Sequence, residues 1–382
     1  MRDMTAVSAE RVRTQIDGLA AAGLDWPTFG AAAIETLRKA LPFSAACLAT
    51  VDPATELVTA TVKWGDVDDE HDLEWSYYEY EVEDVYDFRE VSRRPGAVAA
   101  LGAETGGDPT RSRRYAEMFA PVWDYSDELR AGLSADGATW GGLALFHQGG
   151  RTFTLAEQEF VTSVSAGFAR GLRTGLVVGA ADLAVLGDGS GPAVIVVGAD
   201  DEVVSANVGA QERVTDLGGG PLGDAPLPQV VCAIVGAARR RAADPGAPMP
   251  RARLRSRSGR WVVAHASPMV GRGGTVADVV VTLEDARPPE VIPLVVASYG
   301  LTDRERDVVG LVLAGVDTAD VAARLHLSAY TVQDHLKKIF AKVGVRSRRE
   351  LIARIYNDHY VPHLVEGGAL APSGWFAGAS GR

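Results

Sequence analysis

Apolar residues recur first at helical and then at strand spacing in the opening part of the chain. A helix is expected over 26–41, because its apolar residues return every four positions on one face: Phe29, Ala33, Leu37 and Leu41. Strands are expected over 45–51 and 56–63, with Asp52 and Pro53 as the turn between them. The order of these elements predicts a mixed α+β domain.

A further strand and a helix close this part of the chain. Residues 140–146 form an apolar run that contains two glycines. Thr154 is the expected N-cap of the helix that follows, and Glu157, three residues on, completes a capping box. Helical spacing then continues through five apolar residues: Phe160, Val161, Val164, Phe168 and Leu172.

The pattern over about 188–285 is rich in strands. One helix is expected over 227–241. Five strands are expected, the first two as a hairpin: 192–197, 202–207, 251–256, 260–266 and 275–283. Two consecutive prolines, Pro288 and Pro289, then indicate a linker.

The last part of the chain shows short helices in quick succession. Thr302 and Glu305 form a second capping box at the start of the first of them. Asp317 or Thr318 caps a short second helix, and a turn of three residues, 326–328, leads to a third. Two short helices joined by so tight a turn predict a helix-turn-helix.

The third helix has an apolar face and a polar face. The apolar positions recur at spacings of three and four: Val332, Leu336, Ile339, Phe340 and Val343. Gln333, Asp334 and Lys337 lie on the polar face of its first two turns, the part of a recognition helix that reaches base edges in the major groove. Glutamine suits adenine, lysine suits guanine, and aspartate accepts a hydrogen bond from cytosine N4. A merely solvated charged face is the alternative, and the complete helix-turn-helix favours DNA binding.

The segment from Leu301 to Leu351 resembles the LuxR-type DNA-binding domain. The matched positions are Leu301-Thr-Asp-Arg-Glu, Gly315, Asp320-Val-Ala322, Leu325-His-Leu-Ser328, Thr331-Val-Gln-Asp-His335, Ile339-Phe-Ala-Lys-Val-Gly344, Ser347-Arg348 and Glu350-Leu351. The resemblance implies that Gln333, Asp334 and Lys337 contact bases. Family members usually have lysine at the position of Gln333, and many have an uncharged residue at that of Asp334, so the operator sequence stays open. The expected contacts to the DNA backbone are Tyr330, Thr331, Lys338, Lys342, Arg348 and Arg349.

Two weaker resemblances concern the rest of the chain. Residues 140–146, followed by Thr154 and Glu157, resemble the last strand and closing helix of GAF sensory domains, and 192–285 is similar to PAS domains. The expected fold class is therefore multidomain α+β, with two α/β sensory domains and an all-α four-helix LuxR-type domain. The expected boundaries are a GAF-like domain at 10–180, a PAS-like domain at 188–285, a linker at 286–293, a helix-turn-helix domain at 294–361 and a flexible Gly/Ala-rich tail at 362–382.

Charge is distributed unevenly, which changes the meaning of the net charge of -12. Residues 66–90 carry twelve Asp or Glu against one Arg, whereas residues 337–354 carry seven Lys or Arg against Glu350. The helix-turn-helix is thus a basic module on an acidic chain. The fourth helix, 347–356, leaves one flank for pairing with a second copy.

Other candidate sites leave alternatives open. Five aromatic residues are candidates for lining a sensory pocket: Trp75, Tyr77, Tyr78, Tyr80 and Trp140. For the four in the acidic stretch, half-exposed aromatics that pack a loop over the sheet are the alternative. The arginines of 251–260 either add DNA contacts or form a ladder on an exposed strand face, which is favoured. Cys47 is interpreted as a small hydrophobic residue rather than a redox sensor.

The sequence predicts a DNA-binding transcription regulator and no enzyme. It contains no nucleophile elbow, phosphate loop or metal signature, and no cofactor or metal is expected. No apolar run is long enough for a signal peptide or a membrane span, so we expect a cytoplasmic protein without a membrane partner. Expected partners are double-stranded DNA, a second copy of the chain and a small molecule, with RNA polymerase as a further candidate. The alternative is a signalling or scaffold protein whose sensory domains bind a partner protein.

Overall fold

The computed structural model describes residues 6–178, 191–270 and 276–360. The predicted tail, 362–382, lies outside these residues. Two compact units are present, one with two five-stranded sheets and one with the helices from residue 288 onward. The predicted fold class, mixed α+β with an all-helical C-terminal part, is confirmed.

The N-terminal region, residues 6–178, builds one sheet and helices on both of its faces. Its elements are α1 Ala6–Ala20, α2 Trp26–Leu37, β1 Ala45–Val51, β2 Val58–Trp64, α3 Asp72–Tyr80, α4 Phe88–Arg93, β3 Val98–Ala100, α5 Leu101–Glu104, α6 Ala120–Trp123, β4 Tyr125–Ala135, β5 Ala138–Gln148 and α7 Leu155–Gly175. A π-helical turn, Tyr115–Phe119, precedes α6. The strands are antiparallel in the order β2-β1-β5-β4-β3.

Neighbouring glycines of β5 show which helices cover which face. A Cβ on Gly141 would meet the side chain of Leu172 in α7, and one on Gly142 would meet the ring of Phe88 in α4. Successive residues of a strand point to opposite faces. Helices α7 and α4 therefore lie on opposite faces of the sheet, and the capping box that begins α7 is formed by Thr154 and Glu157 as predicted.

The central region, residues 191–285, repeats the strand order of the N-terminal sheet. Its elements are β6 Ala193–Val197, β7 Val203–Ala206, α8 Ala210–Asp216, α9 Gln229–Ala243, β8 Arg251–Arg255, β9 Trp261–Val270 and β10 Val276–Asp285. The sheet order is β7-β6-β10-β9-β8. Counted along each region, both sheets place the strands in the order second, first, fifth, fourth, third.

Polar contacts join the two regions into one compact unit. The carboxylate of Asp52, which is 2% exposed, accepts from the backbone N–H of Arg253 at 2.8 Å and from its guanidinium Nη2 at 2.6 Å. The hydroxyl of Thr55 donates to the carbonyl of Arg251 at 2.9 Å, and Arg239 of α9 pairs with Asp201 and Glu81. The expectation that the arginines of β8 form an exposed ladder is therefore wrong, because Arg253 faces the N-terminal region and is mostly buried.

A buried charge network fixes α3 to the N-terminal sheet. Arg130 of β4 is fully buried and donates to Glu79 of α3 at 2.5 Å and to Glu128 at 2.8 Å. Arg114, also fully buried, donates to Glu128 at 2.8 Å. The acidic stretch is thus partly interior, and burial raises the pKa of Glu79 despite the opposing effect of Arg130.

The C-terminal unit contains the four predicted helices and one more. Its elements are α10 Pro288–Ser298, α11 Asp303–Leu313, α12 Thr318–Arg324, α13 Ala329–Val343 and α14 Arg348–Tyr360. The predicted linker, 286–293, lies largely within α10. Prolines are compatible with the first turn of a helix, where the backbone N–H groups have no helical partner, so Pro288 and Pro289 begin a helix instead of an extended linker.

Candidate nucleic-acid interface

Side-chain caps set the starting points of the three helices that form the candidate interface. Thr302 and Glu305 form the predicted capping box of α11. Asp317, the first of the two predicted alternatives, accepts from the backbone N–H of Asp320 at 2.9 Å and begins α12. The hydroxyl of Ser328 accepts from the backbone N–H of Thr331 at 3.0 Å and begins α13. Each cap satisfies a backbone donor that the helix itself leaves free.

The turn between α12 and α13 is as tight as the sequence predicts. His326 adopts a left-handed conformation with φ of 53°, and the backbone N–H of Leu327 donates to the carbonyl of Ala322 at 2.8 Å. Ala322 is buried, and its small side chain permits the close approach of the two helices. The turn therefore places α13 across α12 in helix-turn-helix geometry.

One face of α13 forms part of the core of the C-terminal unit, and the other is exposed. The buried core is shared by α11, α12 and α13: Val308, Val309, Val312, Val321, Val332, Leu336, Ile339 and Val343. Gln333, Asp334 and Lys337 are all exposed on the opposite face, and Tyr330 is 85% exposed. The structure thus brings the three predicted base-contacting residues together on one accessible surface.

Two of these exposed residues bind each other along the helix. The carboxylate of Asp334 lies 2.8 Å from the ammonium of Lys338, and both side chains are more than half exposed. The hydrogen bond from Lys338 lowers the pKa of Asp334 below its ordinary value. Asp334 is therefore ionised at neutral pH and partly neutralises a lysine that was predicted to contact phosphate.

Two further cations among the predicted DNA-backbone residues have partners on other elements of the C-terminal unit. The ammonium of Lys342 lies 2.6 Å from the carboxylate of Glu305, whose side chain is 4% exposed. Arg348 donates to the carbonyl of Val316. Lys342 thus joins α13 to α11, and Arg348 joins α14 to the segment between α11 and α12, roles that the sequence did not reveal. Arg349 is exposed, and the hydroxyl of Thr331 shares a hydrogen bond with that of Ser328 at 2.8 Å.

The five aromatic candidates for a sensory pocket lie in different surroundings. Trp75 and Tyr78 are buried on helix α3, in an aromatic cluster with Phe119 and Phe146, and not half-exposed on a loop, which was the alternative interpretation. Tyr77 is 38% exposed, and Trp140 is buried in β5. Trp75 lines one of the two cavities described below and Tyr80 lines both, whereas Tyr77, Tyr78 and Trp140 line neither.

Two cavities lie between α3 and the N-terminal sheet, and both extend to α9. The larger has a volume of about 50 Å³, and the smaller about 30 Å³. Their shared walls include Val58, Glu79, Tyr80 and Phe88. Cys47 also lines the smaller cavity. Burial raises the pKa of its thiol to about 12, which agrees with the interpretation of Cys47 as a small hydrophobic residue.

In the part of the chain that the structure describes, no helix is both long and apolar enough to cross a membrane. Within the same residues, no group of three or more His, Cys, Asp or Glu side chains is arranged to hold a metal ion.

The geometry of α11 to α14 defines a helix-turn-helix domain of the kind that binds double-stranded DNA. Residues 299–355 match the family model described as bacterial regulatory proteins of the luxR family. These residues therefore form a LuxR-type helix-turn-helix domain, as predicted.

Curated relatives align over the same part of the chain. An HTH-type transcriptional regulator of Mycobacterium bovis is 50% identical over 52 residues, which cover 14% of this chain and 6% of the relative. The monoamine regulon transcriptional regulator of Klebsiella aerogenes is 43% identical over 56 residues, or 15% of this chain and 25% of the relative. The chain thus spans a quarter or less of the length of these relatives.

Solved structures overlap the chain more broadly but less closely. A Vibrio cholerae VqmA dimer without its target DNA is 18% identical, with a TM-score of 0.21, and the overlap covers 44% of this chain and 82% of that one. The GAF domain of a phosphoenolpyruvate-protein phosphotransferase from Coxiella burnetii is 15% identical, with a TM-score of 0.29. This overlap covers 44% of this chain and 94% of that one. Overlaps at these scores do not establish a shared fold.

Proposed function

We propose that the protein is a cytoplasmic transcription regulator that binds specific DNA sequences through α13. The observation that carries the proposal is that α13 has one buried apolar face and one exposed polar face. Val332, Leu336 and Ile339 anchor α13 in the core, while Gln333 and Lys337 project together into solvent. A helix held in this way can enter the major groove without losing its packing. The family match over residues 299–355 supports the same class of function.

We further propose that the two α+β regions act as GAF-like and PAS-like sensory domains that control DNA binding. They sense a small molecule or mediate formation of a homodimer, and RNA polymerase is a candidate partner. The two regions form one compact unit with cavities at their junction, which suits a sensor that responds as a whole. A ligand controls DNA binding only if it has different affinities for two arrangements of the recognition helices. Helix α10 connects the sensory unit to the helix-turn-helix in sequence and is the proposed route of coupling.

Operator selection followed by titration tests the DNA-binding proposal. Random double-stranded DNA is first selected on the full-length protein, and the enriched operator is then titrated in gel-shift experiments. Lys337→Ala and Gln333→Ala should each weaken operator binding by about 1–3 kcal/mol and relax the preference at one base position. Lys39→Ala, which removes an exposed lysine from the other compact unit, is the matched control and should leave affinity unchanged. Failure to enrich any sequence would favour a signalling or scaffold protein instead.

A further inference from the structure

The larger cavity is formed by both α+β regions of the chain. Its floor comes from the N-terminal sheet, where Ala49 of β1 and Gly142 of β5 line it, and Phe88 of α4 covers one side. The opposite side is provided by Ala237 and Arg240 of α9, which belong to the central region. A molecule bound there would contact both regions at once.

The size of the cavity restricts the bound molecule. A volume of 50 Å³ accommodates on the order of three to five water molecules, since each needs roughly 10–15 Å³ in this measure. The walls are mostly apolar, with contributions from Val51, Leu57, Val58 and Phe88. An apolar molecule of about the size of one six-membered ring matches these walls better than a polar one.

The charged groups of the wall already have partners of opposite charge. Glu79 accepts from Arg130 at 2.5 Å and from the backbone N–H of Phe88 at 2.8 Å. Glu56 pairs with Arg89 at 3.2 Å, and Asp87 pairs with Arg240 at 3.4 Å. A charged molecule would have to break one of these pairs and leave a partner unpaired. An uncharged molecule would not.

Tyr80 supplies a hydrogen-bond donor at the wall. Its hydroxyl oxygen accepts from the backbone N–H of Val58 at 3.2 Å, and none of the described residues accepts the hydroxyl proton. Burial raises the pKa of Tyr80 above its ordinary value, so the proton is retained at neutral pH. The other hydroxyls of this wall are committed, since Thr55 donates to the carbonyl of Arg251 and Ser92 to that of Arg89, while Thr139 shares a hydrogen bond with Ser134.

We infer that this cavity binds a small, uncharged and mostly apolar molecule with one hydrogen-bond acceptor, such as a ketone or ether oxygen, held between the N-terminal region and α9. The inference rests on the proposed sensory role of these regions and deepens it by naming the chemical class of the ligand. It also identifies α9 as the element of the central region that is in direct contact with the ligand.

Three probes of one ring size test the chemical class. Cyclohexanone, cyclohexylammonium and cyclohexanecarboxylate are titrated into the full-length protein by isothermal titration calorimetry without DNA. Saturable binding of cyclohexanone, at least tenfold tighter than that of either charged ring, is expected. Equal affinity for all three probes, or tighter binding of a charged one, would overturn the inference.

Variants place the binding at the shared cavity. Ala237→Leu fills the cavity from the α9 side and should abolish cyclohexanone binding, whereas Ala242→Leu, on an exposed position of the same helix, should not. Tyr80→Phe removes a single oxygen and should weaken the binding of cyclohexanone roughly two- to tenfold, the usual value of one hydrogen bond. This variant keeps the test valid if Ala237→Leu does not fold. Unchanged affinity in Tyr80→Phe, or in a folded Ala237→Leu, contradicts the assignment.

The same preparations separate this inference from the proposed function. Operator binding of each preparation is measured by gel shift in the absence of any probe. Loss of probe binding with intact operator binding overturns the ligand inference alone. Probe binding by a protein that selects no operator supports the ligand inference and contradicts the DNA-binding proposal.

Discussion

Asp334 carries a negative charge in the middle of the surface that is proposed to meet DNA. Its carboxylate lies 2.8 Å from Lys338, one helical turn further along α13. Exposed pairs of this kind are weak because both groups remain solvated. Even a weak pair offsets the positive charge that Lys338 offers to a phosphate, and in the proposed interface the carboxylate favours a cytosine amino group and repels phosphate.

Asp334→Asn should change the salt dependence of DNA binding. The substitution removes the partner of Lys338 and frees this lysine for a phosphate. The slope of log K against log salt should become steeper by about 0.9 per chain, the value for one added phosphate contact. Non-specific affinity at low salt should rise, and the preference for cytosine at one operator position should fall. The measurement is fluorescence anisotropy across a series of salt concentrations.

A matched substitution shows whether the effect belongs to the interface. Asp307→Asn removes an exposed carboxylate that pairs with Arg304 on α11, a different helix from the one that carries Asp334. Its slope should equal that of the unmodified protein. An equal change in both variants would mean that the overall charge of the domain, and not the position of Asp334, determines the salt dependence.

Glu305 should make α11 sensitive to acid. Burial by itself would raise the pKa of Glu305, but hydrogen bonds from Lys342 and from the backbone of Thr302 outweigh it and lower the pKa from 4.5. A lowered carboxyl pKa stabilises the fold above the unfolded-state pKa, and this contribution is lost as the pH falls through the folded-state pKa. Glu305→Gln should cost about 1 kcal/mol at pH 7, because it replaces the charge-assisted hydrogen bond from Lys342 by a neutral one, and it should reduce the loss of protection as the pH falls below about 4.5.

Hydrogen exchange resolves this effect locally. Amides of α11 in Glu305→Gln should exchange about fivefold faster at pH 7, the equivalent of 1 kcal/mol. Asp303→Asn is the control, because the side chain of Asp303 lies in the same helical turn and is 92% exposed. This substitution should have little effect on the exchange rates of the α11 amides. Identical exchange in the unmodified protein and Glu305→Gln would show that the pair with Lys342 does not stabilise this helix.

Helix α4 lies close to the N-terminal sheet because the strands beneath it carry glycine. A Cβ on Gly132 of β4 would lie 2.6 Å from the Cα of Ser92, and one on Gly142 of β5 would lie 2.8 Å from the ring of Phe88. Real Cβ contacts are not this short, so α4 would have to move. The cavity that we assign to a ligand lies at the same junction, and Gly132, Gly142, Phe88 and Ser92 all line it.

Gly132→Ala should therefore destabilise the first compact unit. Overpacking of this kind typically costs 1–3 kcal/mol, and here the contacting atom is backbone, which cannot rotate away. The expected result is a lower midpoint of urea unfolding, followed by tryptophan fluorescence. Gly18→Ala in α1 is the control, because nothing lies within 4 Å of the added Cβ, and it should stabilise by about 0.5–1 kcal/mol. A midpoint for Gly132→Ala equal to that of the unmodified protein would show that α4 is loosely held.

Local signals explain which elements the sequence predicted. The caps formed by Thr154, Thr302 and Ser328 involve residues three apart, and the strand 45–51 follows from composition alone. Helix α3 was not predicted, and its buried face includes Asp72 and Glu79, whose charges give no apolar helical pattern in the sequence. Their partners, Lys63 and Arg130, lie 9 and 51 residues away in the chain, so no local pattern reveals them.

In the candidate interface, too, the sequence predicted the local features and missed the long-range contacts. The exposure of Gln333, Asp334 and Lys337 follows from helical periodicity, which is a local property. The internal roles of Lys342 and Arg348 depend on Glu305 and Val316, which lie 37 and 32 residues away. The ligand cavity combines residues of two regions, and sequence periodicity does not predict how two sheets pack.

At the scale of the whole molecule, one recognition helix is too small to select an operator by itself. Three side chains of α13 are proposed to contact bases, and each well-formed contact discriminates by about 1–3 kcal/mol. A genome offers about 10⁶–10⁹ competing sites. The acidic chain, with a net charge of -12, also adds little non-specific attraction to DNA. Two copies acting together would double the number of contacted base pairs.

We therefore expect two chains on one operator, with half-sites related by two-fold symmetry and spaced by about 10 base pairs or a multiple of one helical turn. Sedimentation velocity of the full-length protein with a selected operator should give a complex of two chains per duplex. Inserting five base pairs between the half-sites rotates one of them to the opposite side of the duplex and should weaken binding strongly, whereas inserting ten should restore much of it. A complex of one chain per duplex, with affinity unaffected by either insertion, would show that a single α13 suffices and that the first compact unit does not pair two copies of α13.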